Sequence, residues 1–535
     1  MDRPLRSLTV AAVVVALLVG SATPSQAAAP TLAAPPAPTV DRVNGTTVYT
    51  VAVAASKLAR PTDGTGTTVV VASGLDFLSG ALAGAAAASM DGQLLLTEPT
   101  VLTAVTKAEL QRLAPDRIVV VGNSAAVSAA VEAQLRMLQA DTVRIAGTDL
   151  YNTSVLLAAH ANQTGASRAF VTGGSAVPSL MSAAALAGSQ HAPLVIVRPS
   201  DAAVRPDLSQ LLGSTGADSV TIVGAPAAVS ASFATAVQGT GRTVDRIVGA
   251  DYVSLSYAIA ARFDTPQRVF ALSGSGYPIG VAAIPLAAAA TSPIVFTTAY
   301  CAVPALTALV AGATAPRITL VGSVVQIRTL VGSLPACLSV TAASSYWVIA
   351  NKRNKLNPVT YTPSGLRLPA VQRTGAHYLR SAAASAIENL NAGSIAAGAG
   401  RIGVVSGYRS YNTQKSLYAR YVATRGQAWA DSQSARAGFS EHQTGLAADV
   451  AACSATSCGS IYSFAATPQG AWVKNNAWRY GLVVRYESGY TSTTGYASEP
   501  WHLRFIGIPA ATDYRASGFH TLENYFGYAA APNYR

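Results

Sequence analysis

A short pattern of β-branched residues, an arginine and a closing glycine occurs three times in this chain. Its copies read VDRVNG at 40–45, TVRIAG at 142–147 and VDRIVG at 244–249. The arginines of this pattern follow each other at intervals of 102 residues: Arg42, Arg144 and Arg246. A second pattern keeps the same order, as RIVVVG at 117–122, VTIVG at 220–224 and ITLVG at 318–322. Two patterns that stay in register over three copies predict a three-unit repeat architecture.

Each copy alternates short β-branched runs with longer alanine-rich runs. The first kind of run predicts buried strands and the second kind predicts helices, so each unit should be a mostly parallel sheet covered by helices. The fold prediction for this region is therefore α/β repeats, three Rossmann-like units in all. No G-x-x-x-x-G-K-[ST] segment occurs, and nucleotide binding is not expected.

The N-terminus has the features of a secretory signal peptide. Arg3 and Arg6 precede an apolar run at 8–20, and small residues follow with a cleavage position near Ala27 or Ala29. The apolar run is too short to span a bilayer comfortably. No other stretch requires a membrane helix, and the C-terminus carries no sorting signal. We therefore expect an exported, soluble mature protein with no covalent anchor and no membrane span.

The charge of the chain leaves two interpretations open. There are 37 Lys and Arg residues against 25 Asp and Glu residues, which gives a formal net charge of +12. This is either the solvated surface of an acid-poor secreted protein or a general attraction to an anionic partner such as a wall polymer. No basic cluster with interleaved aromatic residues is present, so nucleic acid is not an expected partner.

Both repeat patterns resemble the three-copy cell-wall-binding repeat of exported proteins from Gram-positive bacteria. The resemblance covers residues 40–340 and implies non-covalent retention on anionic cell-wall polymers. The family's usual Arg-Tyr pair after the glycine is reduced to Tyr49 and Tyr151 in the first two copies, and becomes ADYVSLS in the third. The alternative is a tethering spacer without a specific ligand.

Residue types change after the repeats, where Tyr, Trp, Arg and Asn replace the Ala and Val blocks. The segment GFSEHQTGLAADV at 438–450 contains His442 and Asp449, and ASEPWHLRFIG at 497–507 contains Glu499 and His502. Two imidazoles and a carboxylate can bind zinc and leave a position open for water, with the second carboxylate as a general base. Taken singly, His442 could be a turn residue, Asp449 a capping residue and Glu499 a surface charge.

Three segments resemble, in order, the zinc D-alanyl-D-alanine carboxypeptidases of the VanY type. They are SGYRSYNTQKSLYARYV at 406–422, SARAGFSEHQTGLAADV at 434–450 and GYASEPWHLRFIG at 495–507. The resemblance covers nearly all of 346–527 and implies an α+β zinc peptidase domain of the LAS or hedgehog-like kind. It implies one Zn²⁺ bound by His442, Asp449 and His502, and Glu499 as the catalytic base.

The same resemblance implies roles for four further residues. Arg409 would stabilise negative charge that develops on the carbonyl oxygen of the bond being cut. Gln414, Arg436 and Ser440 lie on matching segments and would hold the terminal D-Ala of the substrate. For Gln414 and Arg436, a hydrogen bond that only shapes the loop is the alternative. Trp501 is expected to serve packing rather than chemistry.

Four cysteines fit an oxidising compartment. Cys453 and Cys458 are close enough to close a small loop, which leaves Cys301 and Cys337 to pair across a longer one. A four-cysteine zinc site is the alternative, although no C-x-x-C spacing occurs. No Ser stands three residues before any Lys, and no H-E-x-x-H occurs, so serine-type and H-E-x-x-H peptidase chemistry is not expected.

Together these observations predict a secreted peptidase bound non-covalently to the Gram-positive cell wall. Residues 1–29 would be the signal peptide, 30–39 a linker, 40–340 the repeats and 341–535 the peptidase domain. The predicted function is removal of the terminal D-Ala from peptidoglycan stem peptides, with zinc-activated water and Glu499 as base. A peptidoglycan endopeptidase of the same fold and a non-catalytic wall-binding protein are the alternatives.

Overall fold

The computed structural model of this chain describes residues 37–62, 67–174, 177–333 and 335–535. The predicted signal peptide and residues 30–36 of the predicted linker lie outside the described residues. Within the described residues, no helix is both long and apolar enough to cross a membrane.

The first part of the described chain contains twelve strands and twelve helices. Its strands are β1 Thr39–Val43, β2 Thr68–Ser73, β3 Gln93–Thr97, β4 Arg117–Val121, β5 Thr142–Ile145, β6 Arg168–Gly173, β7 Leu194–Val197, β8 Ser219–Val223, β9 Thr243–Ile247, β10 Arg268–Ser273, β11 Ile294–Thr297 and β12 Arg317–Val321. Its helices are α1 Val48–Ala59, α2 Phe77–Ser89, α3 Ala104–Leu113, α4 Ala129–Leu138, α5 Leu150–Ala161, α6 Val177–Ser189, α7 Pro206–Ser214, α8 Ala231–Gln238, α9 Tyr252–Ala260, α10 Tyr277–Gly280, α11 Ile284–Ala289 and α12 Pro304–Ala311. Strands and helices alternate as the sequence predicts, except that α10 and α11 both lie between β10 and β11.

These strands form three parallel sheets of four strands each. The strand orders are β3-β2-β4-β5, β7-β6-β8-β9 and β11-β10-β12-β1. The third sheet is completed by the first strand of the chain, since Val40 pairs with Ile318 and Arg42 with Leu320. Each copy of the arginine pattern thus completes the sheet of the preceding unit, and the three units close into a ring. The sequence repeat and the structural unit are offset by one strand.

The repeated arginines join the two sequence patterns to each other. Their Nη1 groups donate to the carbonyl oxygen of the glycine that ends the neighbouring strand, at 2.6 to 2.8 Å: Arg144 to Gly122, Arg246 to Gly224 and Arg42 to Gly322. All three glycines have a positive φ, which glycine adopts without steric cost. These contacts give the fixed position of the arginine in each repeat a structural reason.

Three alanine-rich helices, α2, α6 and α11, pack against one another at the centre of the ring. Their small side chains allow the backbones to approach closely. A Cβ atom built on Gly188 of α6 would lie 2.4 Å from the Cβ of Ala88 and 3.1 Å from the Cβ of Ala288. Buried residues from all three units belong to this one core, so no unit buries its apolar surface alone.

The second part of the chain is an α+β domain around an antiparallel sheet. Its strands are β13 Leu366–Arg367, β14 Leu379–Arg380, β15 Arg401–Ser406, β16 Ala447–Cys453, β17 Leu482–Tyr486 and β18 Glu499–Phe505. Its helices are α13 Ser381–Ala396, α14 Tyr411–Arg425, α15 Gln427–Gln433, α16 Pro468–Asn476, α17 Thr491–Thr494, α18 Ile508–Ala516 and α19 Leu522–Phe526. The main sheet has the order β15-β16-β18-β17, and β13 pairs with β14. The core lies between the main sheet and α13.

Both expected disulfide pairs are present, Cys301–Cys337 and Cys453–Cys458. The two bridges lie in different parts of the chain, so the alternative of one four-cysteine zinc site is wrong. The Cys453–Cys458 bridge follows directly on β16. Its sulfur atoms lie over Gly403, where a Cβ would be 2.4 Å from the Cys453 Sγ.

The third repeat unit and the second domain share a buried interface. The guanidinium of Arg328 donates to the carbonyl oxygen of Tyr525 at 3.0 Å and stacks 4.1 Å from the ring of Phe519. The backbone N–H of Leu330 donates to Asp513 Oδ1 at 2.8 Å. Tyr300 adds edge contacts to aromatic residues of the second domain. The boundary predicted at 340 therefore runs through a continuous apolar core.

The helix packing at the centre of the ring gives a stability prediction. Gly188→Ala should lower the free energy of unfolding by about 1–3 kcal/mol, because the new methyl group overlaps Ala88. The matched control is Gly213→Ala in α7, where no atom lies within 4 Å of the added Cβ. That control should be neutral or raise the stability by up to about 1 kcal/mol. Denaturant unfolding of both variants checks this, and an equal or greater stability for Gly188→Ala contradicts the packing.

Candidate active site and metal centre

Two neighbouring strands and one short helical turn bring the predicted metal ligands together. Asp449 on β16 is directly paired with His502 on β18, so their side chains leave the sheet side by side. His442 lies in a 3-10 helix, Glu441–Thr444, just before β16. Gly445 ends this turn with a φ of +68°, a left-handed conformation that favours glycine. The sharp turn lets His442 and Asp449 face each other although they are seven residues apart.

The three side chains lie within reach of a single metal ion. Their ligand atoms all lie within 4.8 Å of one another. Nε2 of His442 is 3.3 Å from Oδ2 of Asp449, and Nδ1 of His502 is 3.3 Å from Oδ1 of Asp449. Nδ1 of His442 lies 2.7 Å from the Gly407 carbonyl oxygen, to which it can donate only as Nδ1–H. Nε2 of His442 then has a free lone pair and, among the described residues, no hydrogen-bond partner. This buried donor set fits a metal ion.

The charges of the three residues follow from their burial and their neighbours. Burial lowers the pKa of His442 to about 4, so its imidazole is neutral near pH 7. Burial alone would raise the pKa of Asp449, but the adjacent His442 and His502 outweigh it and hold the pKa well below its usual value. Burial likewise opposes a charge on His502, but hydrogen bonds to Asp449 and Glu499 raise its pKa to about 9. Neutral His442 and ionised Asp449 are in metal-binding form, and a metal ion would displace the proton of His502.

Glu499 lies beside this group at the start of β18. Its Oε2 is 3.3 Å from Nδ1 of His502, and burial raises its pKa. A buried carboxylate next to the ligands, with a pKa closer to neutrality, suits proton transfer.

A cleft of about 350 Å³ opens above the three ligands. Arg409 and Ser440 line it, and the backbone N–H of Arg409 donates to the carbonyl oxygen of His442 at 3.3 Å. The other lining residues include several aromatic side chains: Tyr421, Trp429, Tyr462, Tyr486, Tyr496 and Trp501. Tyr462 is 80% exposed and packs edge-to-face on Trp501, so Trp501 forms part of the cleft wall.

Gln414 and Arg436 lie behind the cleft rather than in it. The buried amide of Gln414 donates to Ser434 Oγ and to the carbonyl oxygen of Ala435, and it thereby holds the loop that forms one wall. The guanidinium of Arg436 makes two hydrogen bonds to Asp431, at 3.0 and 2.8 Å, and stacks on the ring of Tyr534. In this arrangement both side chains shape the loop, which was the alternative to direct substrate contact.

A buried group of four charged residues supports the site and was missed from the sequence. It consists of Glu441, Arg485, Arg504 and Glu523, none more than 2% exposed. The available signal was an arginine among mostly apolar neighbours in two strand segments, LVVRY at 482–486 and LRFI at 503–506. A charge at such a position predicts a buried partner, and Glu441, next to His442, is that partner.

Comparisons with known proteins agree with this geometry. A family model described as VanY, D-alanyl-D-alanine carboxypeptidase, matches residues 376–508, which contain all the cleft residues named above. A model described as cell wall binding domain 2 matches residues 42–132 and 144–234. The domain that contains the cleft is thus similar to the VanY family, and the repeats before it are similar to a cell-wall-binding family. The chain belongs to the VanY family of D-alanyl-D-alanine carboxypeptidases.

Three similar proteins illustrate the two halves of the chain. The putative carboxypeptidase YodJ of Bacillus subtilis (strain 168) is 37% identical over 183 residues, 33% of this chain and 66% of YodJ. The bifunctional D-Ala-D-Ala dipeptidase and carboxypeptidase VanXYC of Enterococcus gallinarum is 32% identical over 130 residues, 24% of this chain and 68% of VanXYC. The solved structure of Cwp6 from Clostridium difficile is similar with a TM-score of 0.51 at 21% sequence identity. The match covers 56% of this chain and 47% of the Cwp6 chain, and it shows a shared fold.

The third unit completes the repeat region. The matches to the wall-binding family model end at residue 234. The third sheet nevertheless has the strand order and the arginine-to-glycine hydrogen bond of the first two. The repeat region therefore has three units, as the sequence predicts.

A double-mutant cycle tests the structural role of Arg436. Arg436→Ala and Asp431→Ala should each lower the free energy of unfolding, and the double variant should lose less than their sum, because both remove one ion pair. The coupling should be about 0.2–1 kcal/mol, since both groups are partly exposed. Denaturant unfolding of the four proteins measures it. Additive losses would contradict the pairing.

Proposed function

We propose that this chain is a zinc-dependent carboxypeptidase that removes the terminal D-Ala from peptidoglycan stem peptides while it is held at the cell wall. The observation that carries the proposal is the buried group of His442, Asp449 and His502 on the floor of a cleft, with Glu499 beside it. Membership of the VanY family supports the same reaction.

The metal would be held by two imidazole nitrogens and one carboxylate oxygen. Such a set of three protein ligands is typical of catalytic zinc, with a further position open to water or substrate. A zinc ion held there would supply a Lewis acid and a water molecule that loses its proton near neutral pH. Nε2 of His442 is buried and has no hydrogen-bond partner among the described residues, which supports metal binding at this atom.

The chain's own groups supply the remaining steps. Glu499 would take a proton from the attacking water at its carboxylate and return it to the leaving amino group. Arg409 would face the carbonyl oxygen of the bond being cut and stabilise its growing negative charge. Arg409 lies in the cleft with a buried Nε that has no hydrogen-bond partner among the described residues, which supports a role toward substrate.

Recognition of the terminal D-Ala would rest on the wall of the cleft that contains Ser440 and Ser434. Both residues line the cleft, and Ser440 comes two residues before His442. Gln414 and Arg436 would contribute indirectly, since they hold the loop on which Ser434 lies.

Two variants separate metal binding from proton transfer. His502→Ala should lose zinc and activity together. Glu499→Gln should keep one zinc per chain but lose a factor of at least 10²–10⁴ in kcat, because an amide cannot take the proton. Elemental analysis and turnover of a defined muropeptide give both numbers. Full zinc occupancy in His502→Ala, or wild-type turnover in Glu499→Gln, would overturn these assignments.

Product analysis distinguishes the proposed reaction from the endopeptidase alternative. Mass spectrometry of a pentapeptide muropeptide treated with the wild-type protein should show loss of a single alanine. A cut within the stem or in a cross-bridge would instead identify an endopeptidase. No product at all from a zinc-loaded protein would favour a wall-binding protein without this activity.

The repeats would retain the enzyme on anionic wall polymers. Support comes from the match to cell wall binding domain 2 and from the net charge of +12. The full chain should sediment with purified walls, and binding should weaken with rising salt, because screened charges attract less. Glu499→Gln is the matched control and should bind equally well. Binding that is unchanged on walls stripped of anionic polymer, or that is lost on adding soluble muropeptide, would refute this tethering.

A further inference from the structure

The buried charged group behind the metal site has a definite internal geometry. Arg485 makes two hydrogen bonds to the carboxylate of Glu523, at 2.9 and 2.7 Å. Its Nε also donates to Oε1 of Glu441 at 2.9 Å, and Nη1 of Arg504 lies 2.8 Å from the same oxygen. Two carboxylates therefore face two guanidinium groups, and the buried charges balance.

The two oxygens of Glu441 are used unequally. Both arginines bind Oε1, whereas Oε2 is buried without a hydrogen-bond partner among the described residues. A buried carboxylate oxygen that is left unpaired is costly, so its orientation needs a reason. A candidate is Nε2 of His502, which lies 3.8 Å away and is also buried without a hydrogen-bond partner in the described part of the chain.

His502 thus stands between two carboxylate environments. Its Nδ1 faces Asp449 and Glu499, each at 3.3 Å, and its Nε2 faces Glu441. We propose that Glu441 is a positioning residue. It accepts the Nε2–H of His502 and thereby keeps the Nδ1 lone pair directed at the metal. This inference rests on the proposed function, in which His502 binds zinc.

The step from the present geometry to this hydrogen bond is short. A shift of less than about 1 Å brings the two atoms from 3.8 Å to hydrogen-bond distance. A ligating histidine commonly donates its other ring N–H to a carboxylate, which fixes the tautomer and the ring orientation. The two arginines hold Glu441 in place from the opposite side, so the side chain that has to adjust is that of His502.

Glu441→Gln tests the proposal on the full-length protein. The two guanidinium groups should attract the amide oxygen, so that the NH₂ group faces Nε2 of His502. That contact favours the tautomer with the proton on Nδ1, which cannot bind metal. We expect the Kd for zinc, measured by competition with a chelator, to rise about 10–100-fold.

Glu523→Gln is the matched control, because it removes the other carboxylate of the same buried group. Glu523 contacts Arg485 but not His502. We expect both variants to lose stability in the metal-free state, while the zinc Kd of Glu523→Gln stays within about threefold of wild type. Equal zinc Kd values for Glu441→Gln and wild type, or equal rises in both variants, would reduce Glu441 to a structural role.

A second measurement needs no variant and so does not depend on folding of the mutants. Nitrogen NMR of zinc-loaded wild-type protein, labelled at histidine, should show His502 with its proton on Nε2. A proton on Nδ1 in that protein overturns the inference. If the wild-type protein binds no zinc, the proposed function and this inference fail together. If it binds zinc and cleaves muropeptide while Glu441→Gln keeps its affinity, only this inference fails.

Discussion

The antiparallel pairing of β16 with β18 is the constraint on which the rest of the site depends. It sets Asp449 opposite His502, and the same register leads Arg504 to the buried charged group two residues further on. A slip of one residue in this pairing would put the two side chains on opposite faces of the sheet. The apolar residues between the polar ones, such as Val450 and Leu503, are fully buried in the domain core and hold this register. The packing of the core and the arrangement of the candidate metal ligands thus both follow from one strand alignment.

The repeat region is governed by a different constraint, ring closure. The first two sheets each contain one strand from the next copy of the repeat. The third sheet is completed by β1 from the first copy. The central helices can approach only because small residues such as Gly188 and Ala88 meet there. This architecture places the third unit next to the second domain, where Leu330 joins a shared apolar core and Arg328 binds the Tyr525 carbonyl oxygen.

Local sequence patterns predict most helices and strands, whereas they do not predict contacts between segments that are far apart in the chain. His442, Asp449, Glu499 and His502 are predicted from the resemblance of their segments to the VanY type, and the structure brings the four side chains together. The partner of β1 lies at 317–321, and no local pattern specifies that pairing. The direction of Arg436 is decided by Asp431 and by Tyr534 near the C-terminus, so sequence alone left its role open. Glu441 escaped notice because its partners Arg485 and Arg504 lie on later strands.

Continuous contacts join the ring to the candidate metal site through helix α19. Arg328 of the third unit binds the backbone oxygen of Tyr525, and Glu523 on the same helix binds Arg485. Arg485 in turn holds Glu441, which faces His502. Such a path would transmit a signal only if one of its parts had two stable arrangements. Here every member is buried and paired on at least one side, so the contacts favour one fixed arrangement. The packing of the ring against α19 therefore limits how far Glu441 can move. A fixed Glu441 suits the positioning role that we propose for it toward His502.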